Sequence, residues 1–252
     1  MGLPLDMQEI EAVLLDIEGT VCPIDFVYDV LFPHAREELD GFTRTDWGSE
    51  AMAGDLAAFR AQVLADQEAG LEGILPIAED SEGAEAVRAS LVANALQQMN
   101  TDRKTTCLKA IQGRIWRGGY ESGTLRSVVF DDVVGALRGW RAAGLPVAIY
   151  SSGSIAAQKL FFAHTEEGDL TAYLAGYFDT TSGPKREARS YVAIAGQLGL
   201  APGAILFATD VVAEAEAARE AGMPAVILDR PGNLPQPAHD FPILEDFRGL
   251  VR

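Results

Sequence analysis

The sequence predicts an α/β fold, a doubly wound parallel sheet interrupted by a block of helices, and three observations predict it. Short apolar runs recur between polar turns; they are too brief for helices and apolar throughout, as strands buried on both faces are. Helical stretches separate the later runs, so strand and helix alternate. From about residue 22 to about residue 124 that alternation stops, and the chain becomes helical and strongly acidic.

Taken in order, the first strand is the run at 12–15, ending directly in Asp16. The segments DVLFPHAREEL, SEAMAGDLAAFRAQVLADQEAG, EGAEAVRASLVANALQQM and RKTTCLKAIQGRIW then read as helices, with Gly73, Pro76, Gly118, Gly119 and Gly123 as loops and hinges between them. A helix at 132–143 carries Val133, Leu137 and Trp140 on one face and leads to a strand at 146–150. Helices follow at 187–198 and at 212–221, the second closed by Gly222, around strands at 204–208 and 225–228. The expected organisation is a Rossmann-like core of residues 1–21 and 125–252, with a helical cap of residues 22–124 inserted after the first strand. The other arrangement is a single compact domain that includes the insertion.

Of 252 residues 48% are hydrophobic, ample for a packed interior, while 37 Asp and Glu against 20 Lys and Arg leave a formal charge of −17. That charge repels nucleic acid and offers no counterion release on binding it. An anionic small molecule must overcome the same field, which calls for a cation or a lysine inside the site. The N-terminal residues lack the basic start and apolar run of a signal peptide, and no apolar stretch is long enough for a membrane span. Cys22 and Cys107 have no metal-binding spacing and read as free thiols filling small core spaces, which fits a cytoplasmic protein.

Open parallel sheets bind ligands at the carboxyl ends of their strands, so polar residues just after apolar runs are the site candidates. DIEGT follows the first strand: Asp16 and Glu18 can face one ligand if the chain turns at Gly19, as a nucleophile beside an acid/base, or Asp16 can simply cap a helix. Ser151, Ser152, Gly153 and Ser154 follow the strand ending in VAIY, where hydroxyls and turn amides can hold phosphate oxygens or cap the next helix. Lys185, after Gly183 and Pro184, is either the missing positive focus or a solvated surface residue. Thr209 and Asp210 precede the helix at 212, a good place for a metal-ligating carboxylate.

The order of these groups resembles the haloacid dehalogenase superfamily of phosphotransferases. The resemblance implies Asp16 as nucleophile and metal ligand, Glu18 as general acid/base, Ser151 on a phosphate oxygen, Lys185 as the cation holding Asp16 and the phosphoryl group, and Asp210 as a metal ligand. DIEGT with Glu18 where most of these phosphatases have Asp, together with VLFPHAR, IQGRIW, GGYESG, VVFDDV, YSSGSIAAQKLFF, HTEEGDL, FDTTSGPK and FATDV, is similar to the enolase-phosphatases (acireductone synthases) of methionine salvage, over about residues 13–229. That family enolises 2,3-diketo-5-methylthiopentyl-1-phosphate and removes its phosphate with one Mg²⁺. The resemblance therefore implies one Mg²⁺ per chain on Asp16, Asp210 and Glu18, the last by side chain or backbone, and substrate contacts from Ser151, Ser152 and Lys185. The expected partner is that small phosphorylated diketone, with no nucleic acid and no membrane, and the expected state is a monomer.

Val21 and Cys22 stand where the family often has Thr, His34 where an aromatic is expected, and Pro184 where a histidine precedes the lysine. The enolisation base is Glu18 or a neutral Lys185. Trp116 and Tyr120 either read the methylthio end or pack the cap's own core. His164 and His239 read as structural or solvent-facing, and Glu214 and Glu216 as a solvated helix face, with Glu214 otherwise able to assist the metal. The competing functions are another small-phosphate phosphatase or phosphomutase, and a non-catalytic acidic binding module.

Overall fold

The computed structural model describes residues 7–250. Its sheet contains six parallel strands: β1 (Ala12–Leu15), β2 (Val147–Tyr150), β3 (Leu174–Phe178), β4 (Ile205–Thr209), β5 (Ala225–Leu228) and β6 (Ile243–Leu244). They lie side by side in the order β3-β2-β1-β4-β5-β6. The chain therefore winds outward from β1 in both directions, and the order reverses between β1 and β4, where doubly wound sheets open a crevice for ligands.

Every residue of β1, β2, β4 and β5 is buried. Leu14 pairs with Ala148 on one side and Phe207 on the other, so these strands have no solvent face and need no polar alternation. Ala12, Leu14, Ala148, Tyr150 and Phe207 pack with Tyr191 and Ile194 of α7 (Ala188–Leu198) and with Ala215 and Ala218 of α8 (Val212–Glu220). Two strands were not expected. β3 is an edge strand, only partly buried until Phe178, whose register against β2 shifts between Val147 and Ala148. β6 has two residues. Edge strands keep water on one side, so their sequence lacks the continuous apolar run.

Backbone contacts divide the chain into two units, one formed by the residues up to Tyr28 and from Leu125 onward, the other by Asp29–Thr124. The second unit holds α1 (Phe32–Asp46), α2 (Glu50–Glu68), α3 (Ala84–Asn100) and α4 (Thr106–Ser122). Leu39, Met52, Phe59, Leu91, Leu108 and Ile111 form its core. Ser49 and Thr105 cap α2 and α4 by accepting from the backbone N–H groups of Met52 and Leu108. Gly118 and Gly119 lie inside α4 instead of forming a hinge; burial of Ile111, Ile115 and Tyr120 on that helix outweighs the roughly 1 kcal/mol each glycine costs in a helix interior. The helix ends at Gly123, in the left-handed conformation. Trp116 donates its indole N–H to Leu31 O at 2.8 Å and rests 6.2 Å from the Phe32 ring, so its contacts are those of packing.

In the first unit, α5 (Val133–Ala142) follows a buried ion pair that ties distant segments together. Arg230, just past β5, meets Asp132 with two hydrogen bonds of 2.7 and 3.0 Å. It also donates to Thr20 O at 3.2 Å and Glu245 O at 3.0 Å, and stacks on Phe130 and Phe247. This guanidinium fixes the turn after β1 against the C-terminal segment. His164 donates Nδ1–H to Leu160 O and His239 accepts from the Phe241 N–H, so both are structural.

Candidate active site

At the end of β1 the chain turns back on itself. Ile17 N–H donates to Asp16 Oδ1 at 2.8 Å, and Thr20, Val21 and Cys22 all donate to Ile17 O. The turn closes through Gly19, whose φ is +72° and whose Cα lies so close to the Asp210 carboxylate that a Cβ would run into it. Glycine is required there on both counts. Asp16 is thus buried at the tip of β1, while Glu18 stays partly exposed.

Lys185 is buried and not a solvated surface residue. Its side chain is 8% exposed, and Nζ lies 2.6 Å from Asp16 Oδ1 and 2.7 Å from Glu214 Oε2. Its loop is bonded down at three successive carbonyls: Tyr150 donates to Gly183 O at 2.8 Å, Ser190 to Pro184 O at 2.7 Å and Tyr191 to Lys185 O at 2.7 Å. A Cβ on Gly183, at φ +130°, would strike Ser190. The lysine is therefore held in place by its backbone as well as by its charge.

Ser151, at the end of β2, donates to Glu18 Oε2 at 3.3 Å and accepts from the Gly153 N–H at 3.2 Å. Ser154 caps α6 (Ile155–Ala163) by accepting from the Ala157 N–H, the helix-cap reading of the serine run. Ser152 is exposed in the same turn. Thr209, closing β4, has one proton and two acceptors, Asp16 Oδ2 at 3.3 Å and Glu214 Oε2 at 3.2 Å, and accepts from the Val211 N–H.

The structure brings Asp16, Glu18, Ser151, Lys185 and Asp210 to the carboxyl ends of β1, β2 and β4 and the loop beyond β3, at the switch point. It corrects one expectation: Glu214 is buried, not solvated, and pairs with Lys185, because it lies on the buried side of α8 with Ala215 and Ala218; Glu216 is exposed. Tyr150, Tyr191 and Asn233 are not singled out by the sequence, and neither is the pairing of Glu214 with Lys185. Glu214 sits four positions after Asp210, one helical turn on, which was the only local signal available.

Four carboxylates face one ammonium. Burial, then Asp16, raises Asp210 to about 7, against the pull of Lys185. Burial, then Asp16, raises Glu214 to about 8, although Lys185 and Thr209 pull it down. Burial and Asp16 also raise Glu18. Cys22, buried beneath them, is raised by burial and then by Glu18, Asp16 and Asp210. Lys185 moves the other way: burial alone would lower it, but Asp16 and Glu214 outweigh burial and keep it charged. The uncompensated negative charge fits a divalent cation. Among the described residues no three Asp, Glu, His or Cys side chains form a ready metal cage, but Mg²⁺ keeps several waters and takes one or two carboxylates, which Asp16 and Asp210 can provide.

The family description "haloacid dehalogenase-like hydrolase" matches residues 10–222. Enolase-phosphatase E1 of Anopheles gambiae is 42% identical over 99% of this chain and 85% of its own length. A probable bifunctional methylthioribulose-1-phosphate dehydratase/enolase-phosphatase E1 of Oryza sativa subsp. indica is 47% identical over 98% of this chain but only 48% of its own length. The chain thus spans about half the length of the plant relatives it matches. The crystal structure of UTR4 protein from Saccharomyces cerevisiae superposes with a TM-score of 0.75, at 31% identity, over 95% of this chain and 99% of that one.

Proposed function

The chain belongs to the haloacid dehalogenase-like hydrolases and, among them, to the enolase-phosphatases, and from that premise we propose that it converts 2,3-diketo-5-methylthiopentyl-1-phosphate to 1,2-dihydroxy-3-keto-5-methylthiopentene and phosphate in methionine salvage. The observation that carries this reading is the buried Asp16 carboxylate, gripped by Lys185 at 2.6 Å beside Glu18 at the sheet's switch point. The names of the relatives favour it over a phosphatase or phosphomutase for another small ester. The two buried free thiols agree with a reducing, cytoplasmic setting.

Asp16 is the nucleophile. Ile17 N–H and Lys185 hold its Oδ1, which fixes the carboxylate plane for in-line attack. As its oxygen bonds to phosphorus, the bond from phosphorus to the leaving alcohol oxygen breaks, and Glu18 gives that oxygen a proton. A raised carboxyl suits this role. Water then attacks phosphorus while Glu18 takes back a proton, and the aspartyl bond breaks to release phosphate. Lys185 stays charged throughout and neutralises the phosphoryl oxygens, with Ser151 and Ser152 as further donors. Because Lys185 is held charged, the proton removed from carbon in enolisation goes to an ionised Glu18 and is the one it then gives the leaving oxygen; the proton it takes back from water passes on to the enolate oxygen, which leaves Glu18 ionised again. Asp16, Asp210 and Glu18, the last by side chain or backbone, would hold one Mg²⁺, which supplies charge neutralisation for both phosphate and enolate.

The test follows phosphate release and enediol absorbance from the diketo phosphate, with and without Mg²⁺. Asp16→Asn is expected to abolish phosphate release while leaving enolisation measurable; retained phosphate release would exclude Asp16 as the nucleophile.

A further inference from the structure

Asn233 lies in the loop after β5, and its side chain reaches back to the turn after β1. The amide nitrogen donates to Gly19 O at 2.9 Å and to Leu228 O at 3.1 Å. Both partners are carbonyls, which only accept, so the NH₂ end must face them and the orientation of the amide is settled. Oδ1 therefore points the other way. It is buried, and among the described residues no group donates to it. It stands 3.0 Å from where a Cβ of Gly19 would be, against the same glycine that the Asp210 carboxylate crowds.

Two acceptors, one neutral and one anionic, thus flank a single backbone position, and the described residues offer Asn233 Oδ1 no proton. A buried acceptor left in this state is destabilising, and a side chain so firmly bonded at its other end has no freedom to turn away. A water bound to a divalent cation is a strong donor, since the cation polarises its O–H bonds, and Asp210 is where such a cation would sit.

We propose that Asn233 is a positioning residue of the cation site: its NH₂ pins the Gly19 carbonyl of the DIEGT turn, and its Oδ1 accepts a hydrogen bond from a water carried by a divalent cation at Asp16 and Asp210. The inference rests on the reading of those two carboxylates as cation ligands. Its role is to orient that water and the turn, in the way that groups behind metal ligands tune affinity.

The experiment titrates Mg²⁺ calorimetrically into the full chain, with Mn²⁺ spin-resonance titration as a second readout, and measures thermal midpoints in the cation-free state. Asn233→Ala is expected to weaken Mg²⁺ and Mn²⁺ by about tenfold or more. Asn233→Asp loses the donors but keeps an oxygen at Oδ1, and is expected to bind about fivefold or more tightly than Asn233→Ala. Trp140→Phe, which deletes a buried bond to Leu250 O outside the site, is expected to lower the thermal midpoint with cation affinity unchanged. Affinity of Asn233→Ala within about twofold of the parent chain, or Asn233→Asp as weak as Asn233→Ala, overturns the proposal while saturable, Asp210-dependent binding leaves the cation reading standing. No saturable binding by the parent chain overturns both. If near-ultraviolet dichroism shows Asn233→Ala unfolded, Asn233→Asp decides alone: affinity within about tenfold of the parent supports the inference, and a larger loss overturns it.

Discussion

At the scale of single residues, the site depends on charges that are buried because they are paired. Glu214 illustrates this best. Glu214→Gln keeps the shape but leaves Lys185 with one carboxylate, so phosphate release should fall by about tenfold to a hundredfold, while Glu216→Gln on the same helix leaves the rate unchanged; steady-state phosphate release on the two variants checks it. Asp66 gives a pH prediction away from the site. Hydrogen bonds from Arg103 hold its carboxyl below the ordinary 3.8, with Gln62 and the charge of Arg103 acting in the same direction against burial. A lowered carboxylate contributes stability that is complete above the unfolded value and is lost as pH falls through the folded one. The pair is therefore at full strength at neutral pH and weakens only below about pH 4. Asp66→Asn should cost about 1–2 kcal/mol at pH 7 and little once the parent's own carboxyl is protonated, as urea midpoints across pH would show. Asp16, Glu18, Ser151, Lys185 and Asp210 could be read from residue type and place in the chain. The pairing of Glu214 with Lys185 and the reach of Asn233 could not, because acidic and amide side chains on helices and loops look the same in sequence whether they face water or a buried partner.

At the scale of elements, the fold is fastened by connections that cross it. The ion pair of Arg230 with Asp132 is fully hydrogen-bonded and buried, so breaking it strands a charge: Arg230→Met or Asp132→Asn should each destabilise by about 3 kcal/mol or more, measured by urea denaturation. Gly19→Ala meets a positive φ and the Asp210 carboxylate together, so it should abolish phosphate release while costing only about 1–3 kcal/mol of stability, a separation that activity and a denaturation curve on the same sample would show. β1, β2, β4 and β5 were legible because strands buried on both faces must be apolar at every position. β3 and β6 lie at opposite edges of the sheet with mixed exposure, so Leu174–Phe178, with Gly176 in its middle, carries no comparable run. Gly118 and Gly119 misled for the opposite reason: glycine reports backbone freedom, and packing of α4 removed it.

At the scale of the whole molecule, the net charge of −17 is at odds with an anionic substrate except where the chain concentrates positive charge. A divalent cation bound only by the folded chain should therefore stabilise it: at a hundredfold excess over Kd the gain is about 2.7 kcal/mol, raising the thermal midpoint by about 5–10 °C, and chelation should reverse it. Asp210→Asn should lose that response, which a thermal scan with and without Mg²⁺ would test. Among the described residues no helix is long and apolar enough to cross a membrane. The sequence by itself determined which segments are fully buried strands and that Asp16, Ser151 and Asp210 follow them directly, because hydrophobic runs and the polar residues that follow them are local properties. Only the tertiary structure decided that β1 lies between β2 and β4, that Lys185 is shared by Asp16 and Glu214, and that Asn233 and Arg230 reach back to the turn after β1. Those pairings join residues as many as 214 positions apart, and they depend on the winding order of the sheet, which no short stretch of chain encodes.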